Sequence, residues 1–187
     1  IFSDSDDILD RNRVEKNISE LNHTDIVVND FDTVDANGNL IISGYLSKRL
    51  KNKLLIEKNF LKNFNIMGMT NTAANVSVFN GNYEPLNSSL KTFDWYLWNK
   101  LLQHNHKVTF SSSTKTFYRL HENNICSFGN EISEKEIIDG IEVKIHHYNE
   151  FIDFSNDYKE LKNKFLLMKE KAKSKLWLSN YKNKIES

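Results

Sequence analysis

The sequence predicts an α/β domain, a mixed sheet flanked by helices, followed by a helical tail. Short β-branched or aromatic runs alternate with amphipathic stretches through the first two thirds of the chain. Asn37-Gly38, a strong hairpin turn, separates two of those runs. From about Ser133 onward the pattern is helical throughout.

In chain order, "IFS" (residues 1–3) reads as the end of a strand. Ile8, Val14, Ile18 and Leu21 then recur at helical intervals, with Arg11, Arg13, Glu15 and Lys16 between them, and predict an amphipathic helix. "DIVVNDFDTVD" (25–35) predicts a strand, and the run after Asn37-Gly38 a second one. The stretch from Lys48 to Phe64, rich in Leu and Lys, predicts a helix. The small, polar stretch 65–83 predicts a loop entering a short strand at Ala74–Phe79. "SSLKTFDWYLWNKLLQHN" (88–105) predicts a helix capped by Ser88 or Ser89. "KVTF" and "TFYRL" predict two strands joined by an "SSST" turn. A hinge at 127–135 divides the chain into residues 1–130 and a helical extension, 131–187.

The chain has 187 residues, enough for a real core, and its 25 Lys+Arg balance 25 Asp+Glu. Zero formal charge argues against a general grip on nucleic acid. The 39% hydrophobic, 27% charged composition is that of a water-soluble globular chain. The lone Cys126 excludes an internal disulfide and a multi-cysteine zinc site. No signal peptide or spanning run is visible, so the cytoplasm is the simplest compartment.

Asp4 and Asp6, two apart after an apolar pair, share a face of an extended segment and suit a hard divalent cation, magnesium or manganese. The alternative is that the cluster, with Asp7 and Asp10, caps a helix and complements its dipole. Asp30 and Asp32 also follow an apolar run. Alone they resemble the nucleophile and acid/base pair of haloacid-dehalogenase-like phosphatases, although the usual Gly-Thr after the second Asp is absent. The plainer reading, which outweighs this resemblance, is a polar strand end leading into a hairpin.

Four stretches in order carry a larger resemblance. "FSDSDDILDRNRVEKNISEL", "DIVVNDFDTVDANGNLI", "FDWYLWNKLL" and "FYRLHENNI" resemble the Asp-x-Asp segment, the following strand and hairpin, the base-bearing helix and the Tyr-Arg-x-His strand end of family-2 glycosyltransferases. The resemblance covers about residues 1–126. It implies a GT-A-like (Rossmann-like) mixed sheet and metal-dependent, inverting transfer of a sugar from a nucleoside-diphosphate donor, in bacterial surface polysaccharide synthesis. It implies that Asp4 lies against the nucleotide's ribose or diphosphate, that Asp6 binds the metal with Asp4 and His121, that Arg119 meets phosphate, and that Asp94 is the base. Trp95, Thr70 and Asn71 would face a glycan or lipid-linked acceptor, although Trp95 suits core packing at least as well.

Members of that family carry a nucleotide-gripping βαβ unit ahead of Asp-x-Asp, whereas this chain begins almost at the motif. The resemblance therefore implies either a separate N-terminal half or pairing with a second copy, to cover a sheet edge and a core face. It also leaves open a decayed, non-catalytic transferase domain. Lys159, Lys162, Lys164, Lys169, Lys171, Lys173 and Lys175 make the tail a candidate for contact with an anionic membrane, at the inner face of the cell membrane, or else a solvated helix face.

Overall fold

The computed structural model describes residues 1–50, 55–80, 90–121 and 132–186. Ser88, Ser89, Cys126 and most of the expected hinge lie outside the described residues. The chain divides into two compact units, Ile1–Glu84 with Asp94–Ile125, and Pro85–Phe93 with Cys126–Ser187.

The first unit is built on a mixed five-stranded sheet flanked by helices. Its centre is β2 (Ile26–Val34), buried at every position. On one side β2 runs parallel to β5 (Val108–Arg119), and β1 (Ile8–Leu9) pairs antiparallel with β5. On the other side β2 pairs antiparallel with β4 (Thr72–Ala74) and β3 (Leu40–Ile42). The β2–β3 hairpin turns where expected: Gly38 takes φ +88°, and the Asp35 carboxylate accepts from the Asn37 and Asn39 N–H groups at 2.8 Å.

Several expectations are corrected here. Residues 1–7 hold no strand, because Phe2 leaves the sheet to pack edge-on against Phe79 and Trp98, at 6.2 and 5.8 Å. "SSST" is not a turn. Asn29 pairs with Ser111 and Asp30 with Lys115, so residues 112–114 bulge from a single continuous strand. Both halves of β5 pair in parallel with one partner, and the chain cannot reverse between them. Residues 48–64 are not one helix. α2 (Ser47–Leu50) is a single turn, Leu55 bridges Thr109, and Ile56 donates to the Val108 carbonyl at 3.0 Å. The strand expected at 74–79 ends at Ala74, because the Asn75 amide turns to the carbonyls of Leu21 and Thr24.

Helix α1 (Arg13–Leu21) inverts the expected polarity. Arg13 and Asn17 are fully buried, whereas Val14 and Ile18 are 53% and 58% exposed. The inward face is chosen by the sheet below it. Glu20 accepts from the Ser111 hydroxyl at 2.9 Å, which turns the polar side of the helix inward over β5. Helix α3 (Phe93–Gln103) buries Trp95, Leu97, Trp98, Leu101 and Leu102.

The second unit contains α4 (Glu134–Asn149), α5 (Asn156–Lys171) and α6 (Lys175–Glu186). Ser133 starts α4 with a capping box: its hydroxyl accepts from Glu136 N–H, and the Glu136 carboxylate accepts from Ser133 N–H at 2.7 Å. Ile137, Ile141, Ala172 and Leu178 form the core, edged by Phe165, Met168, Trp177 and Tyr181. His147 is fully buried, and burial, then the Lys144 charge, pushes its pKa down to about 3, so it sits neutral as a structural residue. Among the described residues no helix is long and apolar enough to cross a membrane.

Candidate functional site

The turn at residues 4–7 lies beside the C-terminal end of β5, and β5 holds it there. Arg119 donates its backbone N–H to Asp7 Oδ1 at 2.9 Å and its Nε to the Asp6 carbonyl at 2.9 Å, while Nη1 reaches the Ala36 carbonyl. Arg119, for which the resemblance implied a phosphate contact, therefore clamps the acidic turn to the sheet. With Asp7 turned inward, Asp4 and Asp6 remain exposed.

Burial pushes the Asp7 carboxyl up. The Thr70 hydroxyl stands beside it without reaching hydrogen-bond geometry, and Asp7 Oδ2 has no hydrogen-bond partner. Buried Arg13 supplies positive charge nearby, and burial lowers its own pKa to about 10. Asp10 accepts the Asn12 N–H at 3.0 Å in a local turn just before α1. The cluster thus divides its labour: Asp7 and Asp10 are structural, and Asp4 and Asp6 face solvent.

Asp6 Oδ2 and His121 Nε2 lie 2.8 Å apart. The imidazole hydrogen bond, above all, holds the Asp6 carboxyl below its usual range. Of the expected trio, Asp6 and His121 are thus in contact, and among the described residues no group of three His, Cys, Asp or Glu side chains is placed to hold a metal ion. One carboxylate oxygen and one ring nitrogen, close together and open to solvent, fit a hard divalent ion that keeps most of its positions for other ligands.

Asp94, in the first turn of α3, is near enough to Asp4 for its charge to act there. Partial burial, then the charges of Asp6 and Asp94, push the Asp4 carboxyl above its ordinary value, so Asp94 acts electrostatically on Asp4 across 90 positions of sequence. Asp94 Oδ2 accepts from Asn65 Nδ2 at 2.9 Å and Oδ1 from the Trp95 N–H at 2.7 Å. Burial outweighs these bonds and raises its pKa, the direction that suits a proton acceptor working near neutral pH.

The three residues expected on the acceptor side are buried. Thr70 and Asn71 are 5% and 2% exposed. The Asn71 amide donates to the Asn29 and Ile66 carbonyls, both at 3.1 Å, and the Thr70 carbonyl accepts from Thr116 at 3.0 Å. Both fasten the 66–71 loop to the sheet. Trp95 is 4% exposed and donates its indole N–H to the Leu61 carbonyl at 2.6 Å, so it is core.

Asp30 and Asp32 are also engaged. Asp30 accepts from Leu46 N–H at 2.8 Å, Ser47 N–H at 3.3 Å and the Ser47 hydroxyl at 2.5 Å. Asp32 accepts from Gly44 N–H at 2.8 Å, the Ser43 hydroxyl and Lys115 Nζ. Burial raises the Asp32 pKa, but Lys115 and Gly44 outweigh it and hold the group below its ordinary value. The two carboxylates tie the 43–47 turn to β2.

Two residues of the site escaped the sequence reading. Asn65 orients Asp94. Gly68 lets the loop approach it: a Cβ there would sit 3.1 Å from Asn71 Oδ1 and 3.9 Å from Asp94 Oδ2. Its sequence signal was only a glycine in a small, polar loop.

No protein-family model and no curated protein matches the chain. Among solved structures, it is similar to residues 1–349 of TarS from S. aureus in complex with UDP-GlcNAc, with a TM-score of 0.54 at 15% identity. The match covers 89% of this chain and 47% of that one, so the chain spans about half the length of its neighbour. This likeness shows a glycosyltransferase-like fold.

Proposed function

We propose that this chain forms the metal and acceptor side of an enzyme that transfers a sugar from a nucleoside-diphosphate donor to a hydroxyl acceptor with inversion. One observation carries the reading: Asp94, a half-buried carboxylate with a raised pKa, lies within electrostatic reach of the Asp4–Asp6 turn. An inverting transfer needs this pair of elements, a seat for the diphosphate and a base across the sugar from it.

In this reading Asp94 takes the proton of the acceptor hydroxyl, whose oxygen bonds to the anomeric carbon as the bond to the diphosphate breaks. The electron pair of that bond leaves with the nucleoside diphosphate. Asp4 contacts the nucleotide, and Asp6 with His121 would hold a divalent ion, which when bound supplies positive charge against the diphosphate. Arg119 and Asp7 hold the turn in place, and Asn65 and Gly68 set the position of Asp94. The UDP-GlcNAc bound by the structural neighbour supports a nucleotide-sugar donor and makes UDP the first probe.

Calorimetric titration of the full-length protein with UDP and manganese tests the proposal. Binding weakened about tenfold or more by Asp6→Ala supports it. Binding indifferent to that substitution would sink it. Asp94→Asn is expected to keep donor binding and lose transfer.

A further inference from the structure

The helical unit carries a surface that sugar transfer leaves unused. The packed side of α5 is Tyr158, Phe165 and Met168, which leaves Leu167 on its outer side at 66% exposure. On α6, Leu178 is buried and Leu176 is 74% exposed. Lys171 of α5 and Trp177 of α6 line one shallow depression together with Lys173 between them, so the two helix surfaces meet at this corner. Trp177 stacks on Tyr181 with centroids 4.8 Å apart.

At the corner Lys171, Lys173 and Lys175 stand against one acid, Glu170, and the two helices as a whole are basic. Residues 156–187 carry nine lysines against Asp157, Glu160, Glu170 and Glu186, a net of five positive charges in a chain whose total is zero. Lys171 and Lys175 make no ion pair among the described residues, and the exposed Lys173–Glu170 pair is cheaply broken.

We propose that this corner is a docking surface for an anionic phospholipid bilayer. Leu167, Leu176 and Trp177 enter the interface, and Lys171, Lys173 and Lys175 meet the headgroup phosphates. A bilayer takes both parts of the surface at once, apolar side chains into the acyl boundary and lysines at the phosphate level. A nucleic acid would use the lysines and leave the leucines idle. This surface stands apart from the sugar-transfer reading and does not depend on it.

The test is co-sedimentation of the full chain with phosphatidylcholine vesicles, with and without phosphatidylglycerol. Binding is expected only with the anionic lipid, and raising salt from about 0.1 M to about 0.5 M should release it. Each lysine near the surface contributes about a fivefold factor, so Lys171→Gln/Lys173→Gln/Lys175→Gln should weaken binding on the order of a hundredfold. Leu167→Ser/Leu176→Ser should weaken it more than about tenfold while leaving retention on duplex DNA unchanged. All five side chains are exposed, so circular dichroism should match the parent, and the salt series needs no variant. No binding to anionic vesicles at low salt, or equal binding to neutral ones, overturns the proposal. Vesicle binding untouched by the leucine substitutions also overturns it, in favour of a polyanion site.

Discussion

Asp30→Ala separates the structural account of the β2 carboxylates from the phosphohydrolase alternative. Asp30 is 6% exposed and accepts four hydrogen bonds: from Phe31 N–H at 2.9 Å, Leu46 N–H at 2.8 Å, Ser47 N–H at 3.3 Å and the Ser47 hydroxyl at 2.5 Å. Alanine leaves the Leu46 amide, in a residue only 1% exposed, with no acceptor, at a cost of about 1–3 kcal/mol. The Ser47 donors are half-buried and recover part of their loss in water, adding about 0.5–1.5 kcal/mol each. The total is about 2–6 kcal/mol, which lowers the melting temperature of a chain this size by roughly 10 °C. Asp30→Asn keeps the Oδ1 acceptor and should cost about 1–2 kcal/mol. Thermal unfolding followed by tryptophan fluorescence of Trp95 and Trp98 reads the unit concerned. If Asp30→Ala melts within about 1 °C of the parent, the carboxylate is not holding the 43–47 turn. A nucleophilic role for it would then reopen.

Other outcomes follow from the same geometry. Because burial raises the Asp94 pKa, the protonated form is favoured in the folded state. Transfer should fall as pH drops through that raised value, and a flat kcat/KM profile across the acid range would exclude Asp94 as base. The ionised group costs stability above the same value, so Asp94→Asn should melt no lower than the parent while losing about 10²-fold or more in rate. Gly68→Val should impair transfer, because the added methyls reach toward Asp94, and should also lower the melting temperature, because the new Cβ crowds buried Asn71 Oδ1 at 3.1 Å; a melting scan and an assay on one sample check both halves. In the helical unit, His147 has a folded pKa of about 3 against 6.5 ordinarily. The unfolded chain therefore binds the extra proton, and stability is lost as pH falls from about 6.5 towards 3. His147→Phe should blunt that loss in an acid titration followed by circular dichroism.

What the sequence revealed was local, and what it hid was set by distant partners. Gly38 in a tight turn and the helical pattern beginning near Ser133 are complete within a few residues, so both were legible. The bulge at 112–114 was not, because only its pairing with β2 distinguishes it from a turn. The inward face of α1 was misread for the same reason: Glu20 finds Ser111, 91 positions away. Thr70 and Asn71 looked like loop polars open to a ligand, but the Asn71 amide donates to the carbonyls of Asn29 and Ile66, and the Thr70 carbonyl accepts from Thr116 of β5. The acidic turn was legible as a cluster. The division between Asp7, held by Arg119, and the exposed Asp4 and Asp6 became visible only in the fold.

The most direct test is where manganese and a nucleoside diphosphate settle. Crystals of the full-length protein soaked with manganese and UDP, measured at the manganese absorption edge, should show one anomalous peak bonded to Asp6 and His121. The diphosphate should lie on Asp4, with Asp94 across an open space large enough for a sugar. A peak on other side chains, or a nucleotide seated with Asp94 turned away from it, would contradict the account.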